Sequence, residues 1–288
     1  MTKRDTSITI ALIGAGGKMG CRLTDNLKRS DYVLLVCETS VEGKDRLTER
    51  GLTPTDNEEA VAEADFVILA VPDAKIGSVS EQVVPRMKPG GTLILLDPAA
   101  AYANQVKLRE DCTFVVTHPC HPALFDEQDT PEARQDMFGG IAAKQDIVIA
   151  LHEGSREPFD EAKDICIRMF APVVECHEIT VEHMALLEPA AAEVVTAAAA
   201  CIMKEAMDEV IRMGVPAAAA RSFMLGHIQI PLAIAFNQVN PFSDAAQIAI
   251  DYGYEKIFKP DWKQVFTKAS LDEVLKRMLH LQEQGEVK

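Results

Sequence analysis

The stretch Ile8–Gly20 (ITIALIGAGGKMG) constrains the fold most: an apolar run that breaks into Gly14, Gly16, Gly17 and Gly20. The pattern predicts a buried strand, a tight turn and a helix start, which leaves backbone N–H groups facing a pyrophosphate. Gly14 would permit the turn, Gly16 would let a cofactor approach the main chain, and Gly20 would let the helix pack on the strand. The spacing G-x-G-x-x-x-G is one residue longer than the usual dinucleotide fingerprint. After one helix length comes YVLLVCE, with Glu38 at its end, 22 residues past Gly16. An acid there accepts the ribose hydroxyls of an adenosine and repels a 2′-phosphate, and Thr39, Ser40 and Val41 follow rather than an arginine. NAD is therefore expected rather than NADP.

Strand-like apolar segments alternate with helical ones through the first half. Strands are expected near Leu52–Thr55, Asp65–Pro72, Thr92–Leu96, Phe114–Thr117 and Asp146–Leu151, with helices over Glu58–Glu63 and Ile76–Met87. Near-continuous apolar strands between helices predict a mostly parallel, doubly wound sheet covered on both faces. After about Pro172 the alternation is expected to stop. Thr180 would cap a helix to about Met213, closed by Gly214, and Pro216 would start the next. Later helices are expected over Ala217–Asn237, Asp244–Tyr252, Asp261–Lys268 and Leu271–Gln284. The fold class is thus α/β, an N-terminal Rossmann domain (1–172) followed by an all-helical domain (173–288).

A net charge of −15 disfavours nucleic acid and anionic membrane surfaces as partners. An acidic small-molecule substrate must then meet a locally positive or metal-bearing pocket. The seven cysteines are scattered with no C-x-x-C pair, the usage of a reduced, cytoplasmic protein. No run in the sequence reaches the roughly 18 consecutive apolar residues of a membrane span, and a soluble protein is expected.

Three places carry residues suited to chemistry. Val71-Pro72-Asp73 ends a strand at the sheet's carboxyl edge, where Pro72 would shape the loop beside the cofactor and Asp73 would cap the next helix. Thr117-His118-Pro119-Cys120-His121-Pro122 follows another strand, with both histidines held by prolines. Histidine moves protons near neutral pH or ligates a metal; a structural histidine bonded to backbone is the alternative for each. Glu188, in Leu-Leu-Glu-Pro-Ala-Ala-Ala, is an acid in an apolar turn that should meet a cation, a metal or a substrate hydroxyl. Pro189 is expected to kink the helix there. Glu182 reads as a solvated face, and for Glu193 a solvated face is the alternative to a functional role. His118 and Glu188 could converge on one divalent ion, zinc or magnesium, acting as a Lewis acid on a hydroxy acid, with Cys120 a third candidate ligand.

The combination IGAGGKMG, LAVPD, THPCHP, FGGIAAKQDI and LLEPAAAE resembles the D-apionate oxidoisomerases and related NAD-dependent proteins with a phosphogluconate-dehydrogenase-like C-terminal domain. The resemblance implies oxidation of a branched sugar acid with rearrangement of its skeleton to 3-oxo-isoapionate, and a helical domain that forms a homodimer. It places the nucleotide on Gly14, Ala15, Gly16, Gly17, Lys18, Met19 and Glu38, with Pro72 and Asp73 beside it. His118 and Glu188 are then the catalytic and metal pair. The broader β-hydroxyacid dehydrogenases carry a catalytic lysine early in the long helix, but Thr180–Met203 has no lysine and no asparagine. That mechanism does not transfer. Alternatives are a plain or decarboxylating dehydrogenase of another sugar acid, and a protein that senses NAD(H) without turnover.

Overall fold

The computed structural model describes residues 7–281. The first of two compact units runs to Ala185 and takes back the chain from Val274; the second is Leu186–Glu273. In order, the first unit holds β1 (Thr9–Ile13), α1 (Lys18–Leu27), β2 (Val33–Cys37), α2 (Val41–Glu49), α3 (Asn57–Glu63), β3 (Phe66–Leu69), α4 (Asp73–Val83) and β4 (Thr92–Leu95). It continues with α5 (Ala99–Tyr102), β5 (Thr113–His121), α6 (Pro131–Gln135), β6 (Gln145–Glu153), α7 (Arg156–Met169), β7 (Val173–Glu178) and α8 (Val181–Ala185).

The strands form one sheet in the order β2-β1-β3-β4-β5-β6-β7. The first five are parallel, β6 runs antiparallel to β5, and β7 is parallel to β6. Strand alternation sends successive side chains to opposite faces, and here both faces are covered. Ile10, Leu12 and Ile68 pack on one side with Leu23 and Leu27 of α1 and Phe159, Ile165 and Met169 of α7. Ala11, Ile13, Leu69 and Leu95 pack on the other with Val61 of α3, Ile76 and Val83 of α4, Ala100 of α5 and Met184 of α8. Burying one such Leu or Ile side chain contributes about 1.5–3 kcal/mol, so the two layers fix the strand ends that carry the chemistry.

Two expectations change here. Leu52–Thr55 forms no strand: its backbone joins the sheet through one hydrogen bond, Thr55 N–H to the Val36 carbonyl (2.8 Å). Alternation also does not stop at Pro172, because β7 follows. It is an edge strand whose Glu175, His177 and Glu178 hide the apolar pattern, as polar edges commonly do. The expected break at 172/173 therefore gives way to a division after Ala185.

The second unit begins with a π-helical segment, Leu186–Ala197, and continues through α9 (Ala198–Arg212), α10 (Ala217–Ala235) and α11 (Asp244–Ile257); α12 (Lys268–Met278) spans the division. Thr180 caps as expected, its hydroxyl accepting the His183 N–H at 3.1 Å. Gly214, at φ 106°, closes α9, and Pro216 precedes α10. Over Asp261–Lys268 a 3-10 turn, Trp262–Phe266, stands where an α-helix was expected. The helix Val181–Arg212 is long and apolar enough to cross a membrane by length and composition. Glu182, Glu188, Glu193 and Lys204 interrupt it, so it contains no run of 18 consecutive apolar residues.

A nucleotide crevice and a pinned histidine

In the sheet order β2 and β3 flank β1 on opposite sides, so the chain reverses its direction across the sheet there. The crevice at the strands' carboxyl ends there is where open α/β sheets bind ligands. The glycine turn lies in it. Gly14 and Ala15 donate their N–H groups to the Cys37 carbonyl at the end of β2 (2.9 and 3.0 Å). Gly14 adopts φ 81°, and a Cβ on it would come within 3.0 Å of the Ala70 carbonyl carbon after β3. Gly20 serves the expected close packing, since a Cβ there would lie 2.8 Å from the Ala15 carbonyl carbon. Ala15 is buried in the core, and α1 begins at Lys18 with no side-chain cap. The first N–H groups of that helix thus retain their capacity for an anion.

The structure corrects the role of Gly16. The main chain that approaches it is not left for a cofactor but belongs to α2: a Cβ on Gly16 would sit 2.6 Å from the Cα of Gly43. Gly43 in turn leaves room for the Glu38 side chain, which a Cβ there would meet at 2.5 Å. Glu38 is held by main chain on both oxygens. Oε2 accepts Gly16 N–H (3.1 Å), and Oε1 accepts the N–H groups of Thr39 (2.8 Å) and Ser40 (2.9 Å) and the Ser40 hydroxyl (3.0 Å). Burial alone would raise its pKa, but the Ser40, Thr39 and Gly16 donors outweigh it and the net direction is down. The carboxylate is ionised and oriented before any ligand arrives.

A cleft of about 1290 Å³ opens from this turn, lined by Gly14, Gly17, Glu38, Pro72, Thr39 and Ser40, with Asp56, Glu58, Lys44, Arg46 and Arg86 around it. Its size suits an adenosine half-dinucleotide. Cys37 also lines it, as a protonated thiol pushed up to about 12 by burial and by Asp56. Pro72 precedes α4, and Asp73 is that helix's first residue rather than its cap. Its charge there complements the helix dipole.

β5 runs further than expected and carries His118 and His121 within the strand. Its parallel pairing with β4 ends at Val116, but pairing with β6 continues through His118↔Val148 and, past a bulge, His121↔Asp146. His118 Nδ1 lies 2.9 Å from the Leu96 carbonyl, which only accepts, so Nδ1 carries the proton. In the neutral ring Nε2 then carries the lone pair. His121 Nδ1 makes the same kind of bond to Phe138 O (2.9 Å), at φ 62°, and the two imidazoles stand edge to face at 6.1 Å. The Cys120 thiol, shielded although the residue is exposed, is pushed up to about 11 by burial, with Asp146 and Cys176 adding to it, and is a poor third ligand. His118 falls in the first unit and Glu188 in the second.

Two groups escaped sequence reading. His177 Nε2 meets Asp146 Oδ2 at 3.0 Å and its Nδ1 meets Glu175 at 3.6 Å; these donor types share a strand pair that was not expected. Arg46 donates through Nε to the Gly16 carbonyl at 2.6 Å, and it lies eight residues past Glu38, beyond the Thr39-Ser40-Val41 stretch. Lys204 and His227 have local roles, an ion pair with Asp208 (2.5 Å) and stacking on Phe223 at 3.8 Å.

A glycine turn at the switch point, a prearranged acid after β2 and a helical second unit define an NAD-dependent oxidoreductase of the Rossmann type. Residues 9–113 match the NAD binding domain of 6-phosphogluconate dehydrogenase, and residues 126–279 match the phosphogluconate dehydrogenase (decarboxylating) C-terminal family. Across 95% of its length the chain is 46% identical to a D-apionate oxidoisomerase of Pectobacterium atrosepticum, covering 96% of that protein. It is 45% identical to one of Cupriavidus necator (93% and 98% covered). The chain belongs to the D-apionate oxidoisomerase family. A semialdehyde dehydrogenase NAD-binding protein from C. necator, solved in complex with calcium and NAD, superposes with a TM-score of 0.92 at 44% identity, covering 95% of this chain and 100% of that one.

Proposed function

We propose that this chain oxidises D-apionate with NAD and isomerises the product to 3-oxo-isoapionate. One observation carries the reading beyond the family: a single edge of the sheet presents both an ionised, prearranged Glu38 and a His118 whose tautomer is set by Leu96. Glu38 accepts the adenosine ribose hydroxyls, and the N–H groups at Lys18 and Met19 receive the diphosphate. NAD, when bound, supplies the hydride acceptor.

The imidazole of His118 fits a metal or a substrate hydroxyl, because a ligating histidine commonly donates its other N–H to a carbonyl or carboxylate. His118 would be one ligand of a divalent ion, zinc or magnesium, which when bound would polarise a substrate oxygen. The imidazole orients a hydroxyl of the sugar acid, and Leu96 keeps it from turning.

A homodimer is part of the proposal. Phe223, Leu225, Ile230 and Phe236 of the α10 region and Ile248, Tyr252 and Ile257 of α11 are exposed, and α11 has no buried residue. Apolar surface on this scale favours a second copy of the same unit. A cytoplasmic location goes with it.

Product analysis tests the chemistry. D-apionate with NAD should give NADH and a rearranged skeleton; NADH with an unrearranged skeleton refutes the isomerase half. His118→Asn, whose amide replaces the Nδ1 donor, should keep NAD affinity and lose about 10²–10⁴-fold in turnover. A chelator added to the wild type should lower turnover and leave NAD affinity unchanged.

A further inference from the structure

We propose that Arg46, with Lys44 beside it, clamps the diphosphate of the dinucleotide, a role that rests on the nucleotide reading above. Position comes first. Gly43 packs its backbone against Gly16, and Arg46 lies one helical turn later on the same face of α2. Its Nε is fixed to the Gly16 carbonyl at 2.6 Å, which spends one of five guanidinium donors and holds the remaining N–H edge at the glycine turn. Both Lys44 and Arg46 line the cleft together with Gly14 and Gly17.

Charge comes second. The acids of this cleft are each engaged. Glu38 accepts main-chain N–H groups, Asp56 accepts those of Glu58 and Glu59 (2.9 and 3.3 Å), and Glu58 pairs with Arg86 at 3.0 Å. Among the described residues neither Lys44 nor Arg46 forms an ion pair. Two cations without carboxylate partners, at a glycine turn in a chain of net charge −15, mark a place made for anionic oxygens. The diphosphate is the anion that such a turn binds. Arginine's fork suits it better than lysine's point charge.

Calorimetry on the full chain separates this from a purely structural Arg46. The ligands are adenosine, ADP-ribose and 2′-phospho-ADP-ribose, at low and high salt. Arg46→Met should weaken ADP-ribose about 10- to 100-fold, leave adenosine within about twofold, and flatten the salt dependence of ADP-ribose binding. Lys44→Met should act in the same direction but less, and Arg46→Lys should recover part of the loss. Equal losses for adenosine and ADP-ribose would overturn the clamp, because Arg46 would then only support the turn. Unchanged ADP-ribose affinity, or a loss confined to the 2′-phosphorylated ligand, would also overturn it. A wild-type chain that binds no ADP-ribose would instead sink the nucleotide reading itself.

Discussion

Replacing Gly16 by alanine separates two uses of a glycine that the sequence alone merges. A Cβ at Gly16 falls 2.6 Å from the Gly43 Cα, while ordinary contact begins at 3.4 Å, so the two backbones must part by about 0.8 Å. Neither side is a flexible side chain, and the strain cannot be relieved by a rotamer change. Overpacking of this kind costs about 1–3 kcal/mol. For a chain of this size that corresponds to a fall in melting temperature of roughly 2–12 °C. Displacing α2 also stretches the 3.1 Å bond from Gly16 N–H to Glu38, a bond to a charged acceptor worth about 1.5–3 kcal/mol. NAD affinity should therefore fall about tenfold or more. Gly17→Ala is the control: its Cβ would meet Gly14 O at 3.3 Å, a contact relieved by a few tenths of an ångström. Differential scanning calorimetry and NAD titration of both variants give the comparison. A Gly16→Ala protein with wild-type melting and affinity, or a Gly17→Ala protein that is the more damaged, would refute the packing of α2 on the turn.

Glu38→Gln puts an amide NH2 against main-chain donors. It should lower kcat/KM for NAD about tenfold or more and raise the NADP-to-NAD ratio in steady-state assays. Because the folded pKa of Glu38 lies below 4.5, its contribution to stability is fully present above that value and is lost as pH falls through the lowered one. Asp136 follows the same sign. Burial would raise it, but N–H groups of Ala142, Ala143 and Ile141 and the Arg22 guanidinium bring it below 3.8. Asp136→Asn should cost about 1–3 kcal/mol in urea unfolding at neutral pH, and the difference from wild type should shrink as pH drops below 3.8. Thr180→Ala removes the cap bond to His183 N–H and should cost about 1 kcal/mol, read by thermal denaturation.

What the sequence made legible follows from burial. β3 and β4 are buried throughout and β1 in all but Thr9, so their apolar runs stand out against any background. β7 is half exposed at the edge, and its Glu175 and His177 answer to each other and to Asp146 rather than to the core. The lost strand at Leu52–Thr55 has the opposite cause: its leucine and β-branched threonines suit a strand, but only Thr55 reaches β2 with a backbone bond. Long-range pairing decided both cases, and local pattern does not encode it. Glu38 was found because the distance from glycine turn to ribose is fixed by one strand–helix–strand passage. Arg46 was missed because only the packing of Gly43 on Gly16 brings α2 to that turn.

The Glu188 helix shows how a backbone change alters which residues belong together. Proline lacks the N–H that an α-helix needs at Pro189, and its ring crowds the carbonyl four residues back, at Ala185. The chain widens to π geometry over Leu186–Ala197, and the Thr196 hydroxyl donates to Ala191 O, five residues back, at 3.0 Å. At 3.6 residues per turn, Glu188 and Glu193 would lie about 140° apart. With i→i+5 bonding the turn is wider, and residues five apart come closer to one face than they do in an α-helix; Glu188 is half-buried here and Glu193 is exposed. Pro189→Ala, which restores the missing N–H, should let the segment return toward α geometry and separate the two. Loss of turnover in that variant, with NAD affinity intact, would tie the wide turn to the chemistry at Glu188; unchanged turnover would make it a matter of packing alone.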